Sequence, residues 1–265
     1  MNRIDLCFQK LKTANRKALI AYLTAGDPDM ATSLKIMKAA CAAGVDILEI
    51  GIPFSDPTCD GPVIQMASER ALKNGMSLSK SLQLAAQVRQ SVAVPIVLFS
   101  YYNPLFKYGL ERLAQALTEA GIDGLLVVDL PPEEAGPLQQ ALSGKNIHLI
   151  RLAAPTTKPE RIQMLADGAG GFLYLITRLG VTGTGGLDYA AVAQHTAIVK
   201  NICPHPVCLG FGITTGADAH ALAPLADGLI VGSALVRIIA QASDNADMPA
   251  LITAKLQELR TGMDN

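Results

Sequence analysis

The sequence has little net charge, no long apolar run and no paired-cysteine motif, and each shortage excludes a class of protein. The formal net charge of the 265 residues is −1, so no basic field attracts nucleic acid or an anionic membrane. No stretch approaches the roughly 18 uninterrupted apolar residues of a spanning helix, and residues 1–17 lack the apolar run of a signal peptide. We expect a cytoplasmic protein that binds neither nucleic acid nor membrane and holds any phosphate group locally.

The 5 cysteines lack the spacing of a disulfide framework or a metal centre. Their odd number and the absence of a C-x-x-C pair are typical of reduced thiols. Cys203 and Cys208 flank a Pro-His-Pro segment, but their spacing is not that of zinc ligands. Cys59 has no histidine near it in sequence to activate it as a nucleophile. We predict no metal site.

No linker interrupts the regular alternation of short apolar runs with longer amphipathic segments. The predicted strands are Ala18 to Leu23, Ile47 to Gly51, Ile96 to Ser100, Gly124 to Val128, Ile147 to Leu152, Phe172 to Ile176, Val207 to Leu209, and Gly228 to Val231. The predicted helices between them are Met30 to Ala43, Val63 to Lys73, Leu78 to Gln90, Leu110 to Ala120, Pro132 to Leu142, Pro159 to Ala166, Tyr189 to Asn201, Gly216 to Leu225, and Ser233 to Ala240. This alternation favours parallel strand pairing.

Two parallel architectures fit, a closed eightfold β/α (TIM) barrel and a doubly wound open sheet. The first strand runs into Thr24-Ala25-Gly26-Asp27-Pro28, which cannot form the G-x-G-x-x-G turn of the open sheet. We therefore predict a single-domain α/β TIM barrel over 18–240, preceded by a helix in 1–17 and followed by one in 241–265. The length is close to the roughly 250 residues typical of that fold.

An acid interrupts the second predicted strand. Side chains alternate across a strand, so Glu49 shares a face with Ile47 and Gly51. If both faces are covered, an unpaired carboxylate there shifts its pKa or costs several kcal/mol. Either Glu49 meets an Arg or Lys in a structural ion pair, or its carboxyl group carries out chemistry.

A stiff loop follows that strand. Its prolines at 53, 57 and 62 fix the backbone and bring Asp56 and Asp60 back over the strand end. These two acids either start turns or hold a substrate, and the residues alone leave both interpretations open.

Glycines follow the seventh and eighth strands, where TIM barrels bind phosphate. Gly210, Gly212 and Gly232 permit close backbone approach, and Ser233 opens a helix whose N–H groups are free to bind an anion. Tight turns without a ligand are the alternative. The segment 177–186 after the sixth strand is rich in glycine, and we interpret it as a lid with Arg178 at its hinge and Thr182 inside.

Several stretches, in order along the chain, together resemble the tryptophan synthase alpha subunit family. They are Leu23 to Pro28, Leu48 to Pro57 with Asp60-Gly61-Pro62, Val128 to Pro131, Gly180 to Gly183, Gly210 to Ile213, and Val231 to Ser233. The resemblance implies a barrel that cleaves indole-3-glycerol phosphate to indole and glyceraldehyde 3-phosphate. It also implies an alpha2-beta2 heterotetramer, with pyridoxal phosphate (PLP) in the beta subunit and no cofactor in this chain.

Matching motifs carries the family's functional positions onto this sequence. The catalytic carboxylates fall on Glu49 and Asp60. Substrate-binding positions fall on Tyr174, Thr182, Gly183, Phe211, Gly212, Gly232 and Ser233. Asp129 and Thr182 match positions where two mobile loops communicate. Cys59 departs from the family, in which alanine commonly precedes the aspartate.

Alternatives from other classes remain. Another phosphate-handling barrel enzyme would commonly place a lysine at a strand end, and no predicted strand contains or ends in one. A non-catalytic partner of a beta-like subunit would be expected to have lost one acid, and both are present. A stand-alone indole-releasing lyase would share every motif.

Overall fold

Parallel strands close into a barrel in the computed structural model, which describes residues 1–177, 188–210, 212–242 and 247–265. Each strand pairs with its neighbours in chain order, and the last closes onto the first. The strands are β1 Ala18–Thr24, β2 Ile47–Gly51, β3 Ile96–Ser100, β4 Gly124–Val127, β5 His148–Ala153, β6 Leu173–Ile176, β7 Val207–Gly210 and β8 Gly228–Val231. This confirms the predicted TIM barrel.

Helices cover the outside of the barrel. They are α1 Arg3–Thr13, α2 Met30–Ala42, α3 Pro62–Lys73, α4 Leu78–Arg89, α5 Tyr102–Tyr108, α6 Leu110–Glu119, α7 Gly136–Leu142, α8 Pro159–Asp167, α9 Tyr189–Ile202, α10 Gly216–Leu222, α11 Ser233–Gln241 and α12 Met248–Asp264. Short 3₁₀ turns span Pro132–Glu134 and Ala223–Leu225. No helix in the described ranges is long and apolar enough to cross a bilayer.

The apolar residues fall into two layers separated by the sheet. Leu48 and Ile50 of β2 belong to the cluster between strands and helices. Ile47 belongs to the cluster inside the barrel, with Tyr22 and Val97 from the neighbouring strands. Because side chains alternate along a strand, Glu49 points into the barrel with Ile47.

Helix α1 closes the amino-terminal end of the barrel. Ile4 and Phe8 belong to the interior cluster, and the Phe8 and Phe172 rings lie 6.0 Å apart. The side chain of Asn2 caps the helix by accepting from the N–H of Ile4 at 2.8 Å. Its amide donates to the carbonyls of Asp123 and Asn146 at 2.8 and 2.7 Å.

Three segments differ from the predicted elements. The segment 132–142 is broken into a 3₁₀ turn and α7, because Pro137 suits only the first turn of a helix. The segment after β3 forms α5, where no helix is predicted. Helix α12 begins at Met248, where Asp247 caps it by accepting from the N–H of Ala250.

Candidate active site

Glu49 lies in the barrel interior and is 1% exposed. Its Cα is in register with those of Tyr22 on β1 and Val97 on β3. In the described part of the chain its Oε1 atom has no hydrogen-bond partner, and no Arg or Lys forms an ion pair with it. Burial raises the pKa of Glu49 from 4.5 to about 8.

This environment bears on the ion-pair interpretation of Glu49. A structural ion pair would supply a nearby cation, which lowers the pKa of a carboxyl group. Here desolvation dominates, so the carboxyl group is mainly neutral at pH 7 and exchanges protons near neutral pH. Within the described residues, the geometry favours chemistry over a structural pair.

Two buried tyrosines share the interior with Glu49. Burial, followed by the charge of Glu49, raises the pKa of Tyr174 well above its usual range. Burial also raises the pKa of Tyr22, with smaller contributions from the charges of Asp60 and Glu49. Both phenols are therefore neutral at pH 7 and present hydroxyl groups to the barrel interior.

Each of these hydroxyl groups rests against a glycine at a strand end. A Cβ on Gly51 would lie 2.1 Å from the hydroxyl oxygen of Tyr22, and a Cβ on Gly210 would lie 2.2 Å from that of Tyr174. No side chain other than hydrogen fits at either position without movement of the ring. The space left by the missing side chains of Gly51 and Gly210 therefore accommodates the hydroxyl ends of the two tyrosine rings.

Asp60 stands on the loop between β2 and α3 and is 7% exposed. Its Oδ2 accepts from the hydroxyl of Tyr101 at 3.1 Å, and its carbonyl accepts from Nε2 of Gln65 at 2.8 Å. Burial raises the pKa of Asp60 to about 6, against the lowering effect of the Tyr101 hydrogen bond. Asp60 is thus mostly ionised at neutral pH while Glu49 is mostly protonated.

The glycines after β7 and β8 lie where the sequence predicts an anion site. Gly212 has φ +82°, a conformation that glycine adopts without strain. Gly232 caps α11 without a side-chain hydrogen bond, and its carbonyl accepts from the N–H groups of Leu235 and Val236. The N–H groups of the first turn, including that of Ser233, point out of the helix and suit a phosphate.

Of the remaining predicted site residues, the structure describes Asp129 but not the other four. Asp129 follows β4 and accepts from the backbone N–H of Tyr102 at 2.7 Å, which ties its loop to the start of α5. Arg178, Thr182, Gly183 and Phe211 lie outside the described residues.

Sequence reasoning missed the roles of Tyr22 and Tyr101. The sequence assigns no role to Tyr101. Tyr22 lies beside Glu49 because of the register between β1 and β2, and that register cannot be read from the sequence. The alternation of side chains along β1 places Tyr22 on the same face as Ile20. That alternation is the one feature of the sequence from which an inward-pointing Tyr22 could have been predicted.

No group of His, Cys, Asp and Glu in the described ranges is arranged to hold a metal ion. Cys203 and Cys208 are both buried free thiols.

Comparisons with known proteins agree along the whole chain. A family model described as tryptophan synthase alpha chain matches residues 8–264. The tryptophan synthase alpha chain of Desulfatibacillum aliphaticivorans is 47% identical over 260 residues, covering 98% of both chains. That of Desulfosudis oleivorans is 46% identical over 260 residues, again with 98% of each chain covered.

Solved structures give the same result. The crystal structure of tryptophan synthase subunit alpha from Legionella pneumophila superposes with a TM-score of 0.93 at 37% identity, covering 100% of this chain and 99% of that one. A chain of tryptophan synthase from M. tuberculosis, in an aminoacrylate-bound form, gives 0.89 at 33% identity, with 99% and 100% covered.

Proposed function

The chain belongs to the tryptophan synthase alpha chain family, and from this premise we propose that Glu49 and Asp60 are its catalytic carboxyl groups. As the alpha subunit of tryptophan synthase, the protein is a lyase of tryptophan biosynthesis that cleaves indole-3-glycerol phosphate. The products are indole and glyceraldehyde 3-phosphate.

This cleavage is a retro-aldol reaction with three requirements. Carbon 3 of the indole must be protonated, and the positive charge that reaches the ring nitrogen must be stabilised. The hydroxyl group on the carbon being released must lose its proton as it becomes the aldehyde. The electrons of the broken carbon–carbon bond then return to the indole ring.

Glu49 suits both proton transfers. Its pKa of about 8 keeps it mainly protonated at neutral pH, so it donates to carbon 3. The resulting carboxylate accepts the hydroxyl proton, which regenerates the acid. Among the described residues the Oε1 atom of this buried carboxyl group has no hydrogen-bond partner, so it is free to contact a substrate that shifts between the two steps.

Asp60 suits stabilisation of the ring cation. Its pKa of about 6 leaves a carboxylate at neutral pH, and a carboxylate bonded to the indole N–H attracts the ring more strongly as positive charge develops. The hydroxyl of Tyr101 donates to one carboxylate oxygen, Oδ2, and so orients the group.

The substrate phosphate is assigned to the glycine-rich strand ends. Gly212, Gly232 and Ser233 would hold it mainly through backbone N–H groups, with Gly183 and Phe211 assigned by motif. Tyr174 lines the interior next to Glu49. Thr182 is assigned to substrate binding, and Asp129 and Arg178 to loop closure.

An alpha chain of tryptophan synthase implies a beta-subunit partner. We propose an alpha2-beta2 heterotetramer in which the beta subunit holds PLP and receives the indole, while this chain holds no cofactor. We also propose that the complex is cytoplasmic.

The observation that carries the assignment is the buried carboxyl group of Glu49 inside the barrel, whose Oε1 atom has no hydrogen-bond partner in the part of the chain that the structure describes. Glu49→Gln should lower the rate of indole release by a factor of about 10² to 10⁴ while substrate still binds. Asp60→Asn should lose ring stabilisation with its shape retained. Glu69→Gln changes an exposed glutamate on α3 and serves as the matched control.

Indole release from indole-3-glycerol phosphate should be measured with and without a beta subunit. Turnover like that of the wild type in Glu49→Gln would refute the catalytic assignment. An equal rate of indole release with and without the beta subunit would favour a stand-alone lyase. A wild-type chain that releases no indole even with the beta subunit present would favour a non-catalytic partner.

A further inference from the structure

The carboxylate of Asp218 joins α10 to the loop after β7 and to the start of α9. Its Oδ2 accepts from the backbone N–H groups of Thr214 and Thr215, at 2.9 and 2.8 Å, and from the hydroxyl of Thr214 at 2.9 Å. Its Oδ1 accepts from the hydroxyl of Tyr189, the first residue of α9, at 2.9 Å. One side chain thus fixes two consecutive residues of the loop and connects them to a second helix.

These four hydrogen bonds stabilise the ionised form of Asp218. Burial acts to raise the pKa of this carboxyl group, but the hydrogen bonds from Thr214, Tyr189 and Thr215 outweigh burial and lower the pKa to about 2. Asp218 is therefore a carboxylate at neutral pH. Hydrogen bonds to a charged acceptor are roughly twice as strong as those between neutral groups, so this side chain holds the loop more tightly than a neutral cap would.

The loop that Asp218 holds carries a glycine of the proposed phosphate site. Gly212, at φ +82°, directly precedes Ile213, which is 3% exposed and belongs to the cluster between strands and helices. Thr214 follows and is bonded to Asp218. The buried Ile213 alone separates Gly212 from the residues that the carboxylate fixes. A change at Asp218 should therefore alter the direction of the Gly212 N–H group.

The N-termini of α10 and α11 differ in the donors that they leave for a ligand. In α10, the hydroxyl of Thr215 accepts from the N–H of Asp218 at 3.1 Å, and Glu258 of α12 accepts from that of Gly216 at 2.8 Å. In α11, the cap residue Gly232 has no side chain that could accept from the first turn. The cap of α10 therefore suits holding the loop, whereas the start of α11 suits binding the anion.

We propose that Asp218 is a positioning residue for the substrate phosphate, because it holds the loop after β7 in the conformation in which Gly212 binds the anion. Asp218 acts through the loop and not by contact, since a second negative charge would repel the phosphate. Tyr189 supports this arrangement by holding the other carboxylate oxygen. The inference rests on the proposed assignment of the phosphate to Gly212, Gly232 and Ser233.

Three variants separate positioning from helix stability. Asp218→Ala removes every bond to the loop and to Tyr189. In Asp218→Asn the amide oxygen can still accept from the loop, and the amide nitrogen can donate to the hydroxyl of Tyr189, so this variant should restore most of the function. Asp247→Ala is the matched control, because it removes a capping carboxylate from α12, where Asp247 accepts from the N–H of Ala250 at 3.2 Å.

The full chain with its beta subunit should be assayed for release of glyceraldehyde 3-phosphate, with inorganic phosphate and, separately, indole as inhibitors. Asp218→Ala should raise KM and the inhibition constant of phosphate about tenfold, with a smaller change in kcat, since a loosened loop weakens the anion contacts. The inhibition constant of indole should stay that of the wild type, because indole carries no phosphate. Asp247→Ala should lower the melting temperature and leave both inhibition constants as in the wild type.

An Asp218→Ala protein that binds phosphate as tightly as the wild type would overturn the inference, and so would an equal weakening in Asp247→Ala. If phosphate does not compete with the substrate in the wild type, the assignment of phosphate to the glycines is wrong, and this inference with it. If Asp218→Ala does not fold, Tyr189→Phe is the test. It removes only the bond to Oδ1 and should raise the inhibition constant of phosphate about threefold. An unchanged constant there would overturn the inference as well.

Discussion

The hydroxyl of Tyr101 donates to Oδ2 of Asp60 at 3.1 Å. The hydroxyl oxygen of Tyr101 in turn accepts from the backbone N–H of Cys59 at 2.9 Å. One phenol thus connects the end of β3 to both the side chain and the backbone of the loop after β2. The direction of the Asp60 carboxylate is set from a neighbouring strand as well as by the prolines of its own loop.

Tyr101→Phe should change the pH dependence of the reaction. The hydrogen bond lowers the pKa of Asp60, which burial raises to about 6, so its loss should move that pKa upward. If Asp60 acts as a carboxylate, kcat/KM falls as pH drops through about 6 in the wild type. The fall should begin at higher pH in the variant, with about tenfold lower activity at neutral pH. An unchanged acidic limb would contradict this coupling.

Glu49→Gln should alter how stability depends on pH. The pKa of Glu49 is about 8 in the folded protein against an ordinary value of 4.5, so its neutral form is favoured by folding. Its contribution to stability is fully present below pH 4.5 and is lost as pH rises through about 8. Glutamine has no proton to lose. The melting temperature of Glu49→Gln relative to wild type should therefore rise between pH 5 and 9, and a constant difference would be contrary to the raised pKa.

Gly51→Ala should destabilise the barrel through Tyr22. The new Cβ would lie 2.1 Å from the hydroxyl oxygen and 2.4 Å from Cζ, so the ring must move. Overpacking of this kind costs about 1–3 kcal/mol. Tyr22→Leu removes the ring, and the double variant should lose less stability than the two single changes added together. Gly136→Ala, where nothing lies within 4 Å of a Cβ, is the control. Additive denaturation energies would disprove the contact.

Gly232→Asp should weaken binding of the substrate phosphate. The carboxylate would stand at the N-terminus of α11, where an anion is otherwise stabilised by free N–H groups. KM should rise about tenfold or more, because a charge-assisted contact is replaced by repulsion, with a smaller change in kcat. Steady-state indole release tests this. Gly136→Asp introduces the same charge elsewhere, and an equal rise in its KM would argue against a local effect.

The barrel and the position of Glu49 were predictable because both depend on local patterns. Continuous apolar strands, Gly-containing helix ends and period-2 alternation decide the fold and the face on which residue 49 lies. Tyr22 and Tyr101 were not predictable as neighbours of the acids, because their positions depend on strand register and on a hydrogen bond across 41 residues.

The position of α1 at the amino-terminal end of the barrel has a consequence for the order in which the protein folds. The amide of Asn2 bonds to carbonyls 121 and 144 residues further along the chain. During synthesis the bond from Asn2 to Asn146 cannot form until the chain just before β5 has been made. Contacts of such high sequence separation form late, because loop closure must come first. Helix α1 is thus made before every strand of the barrel and is among the last elements to dock.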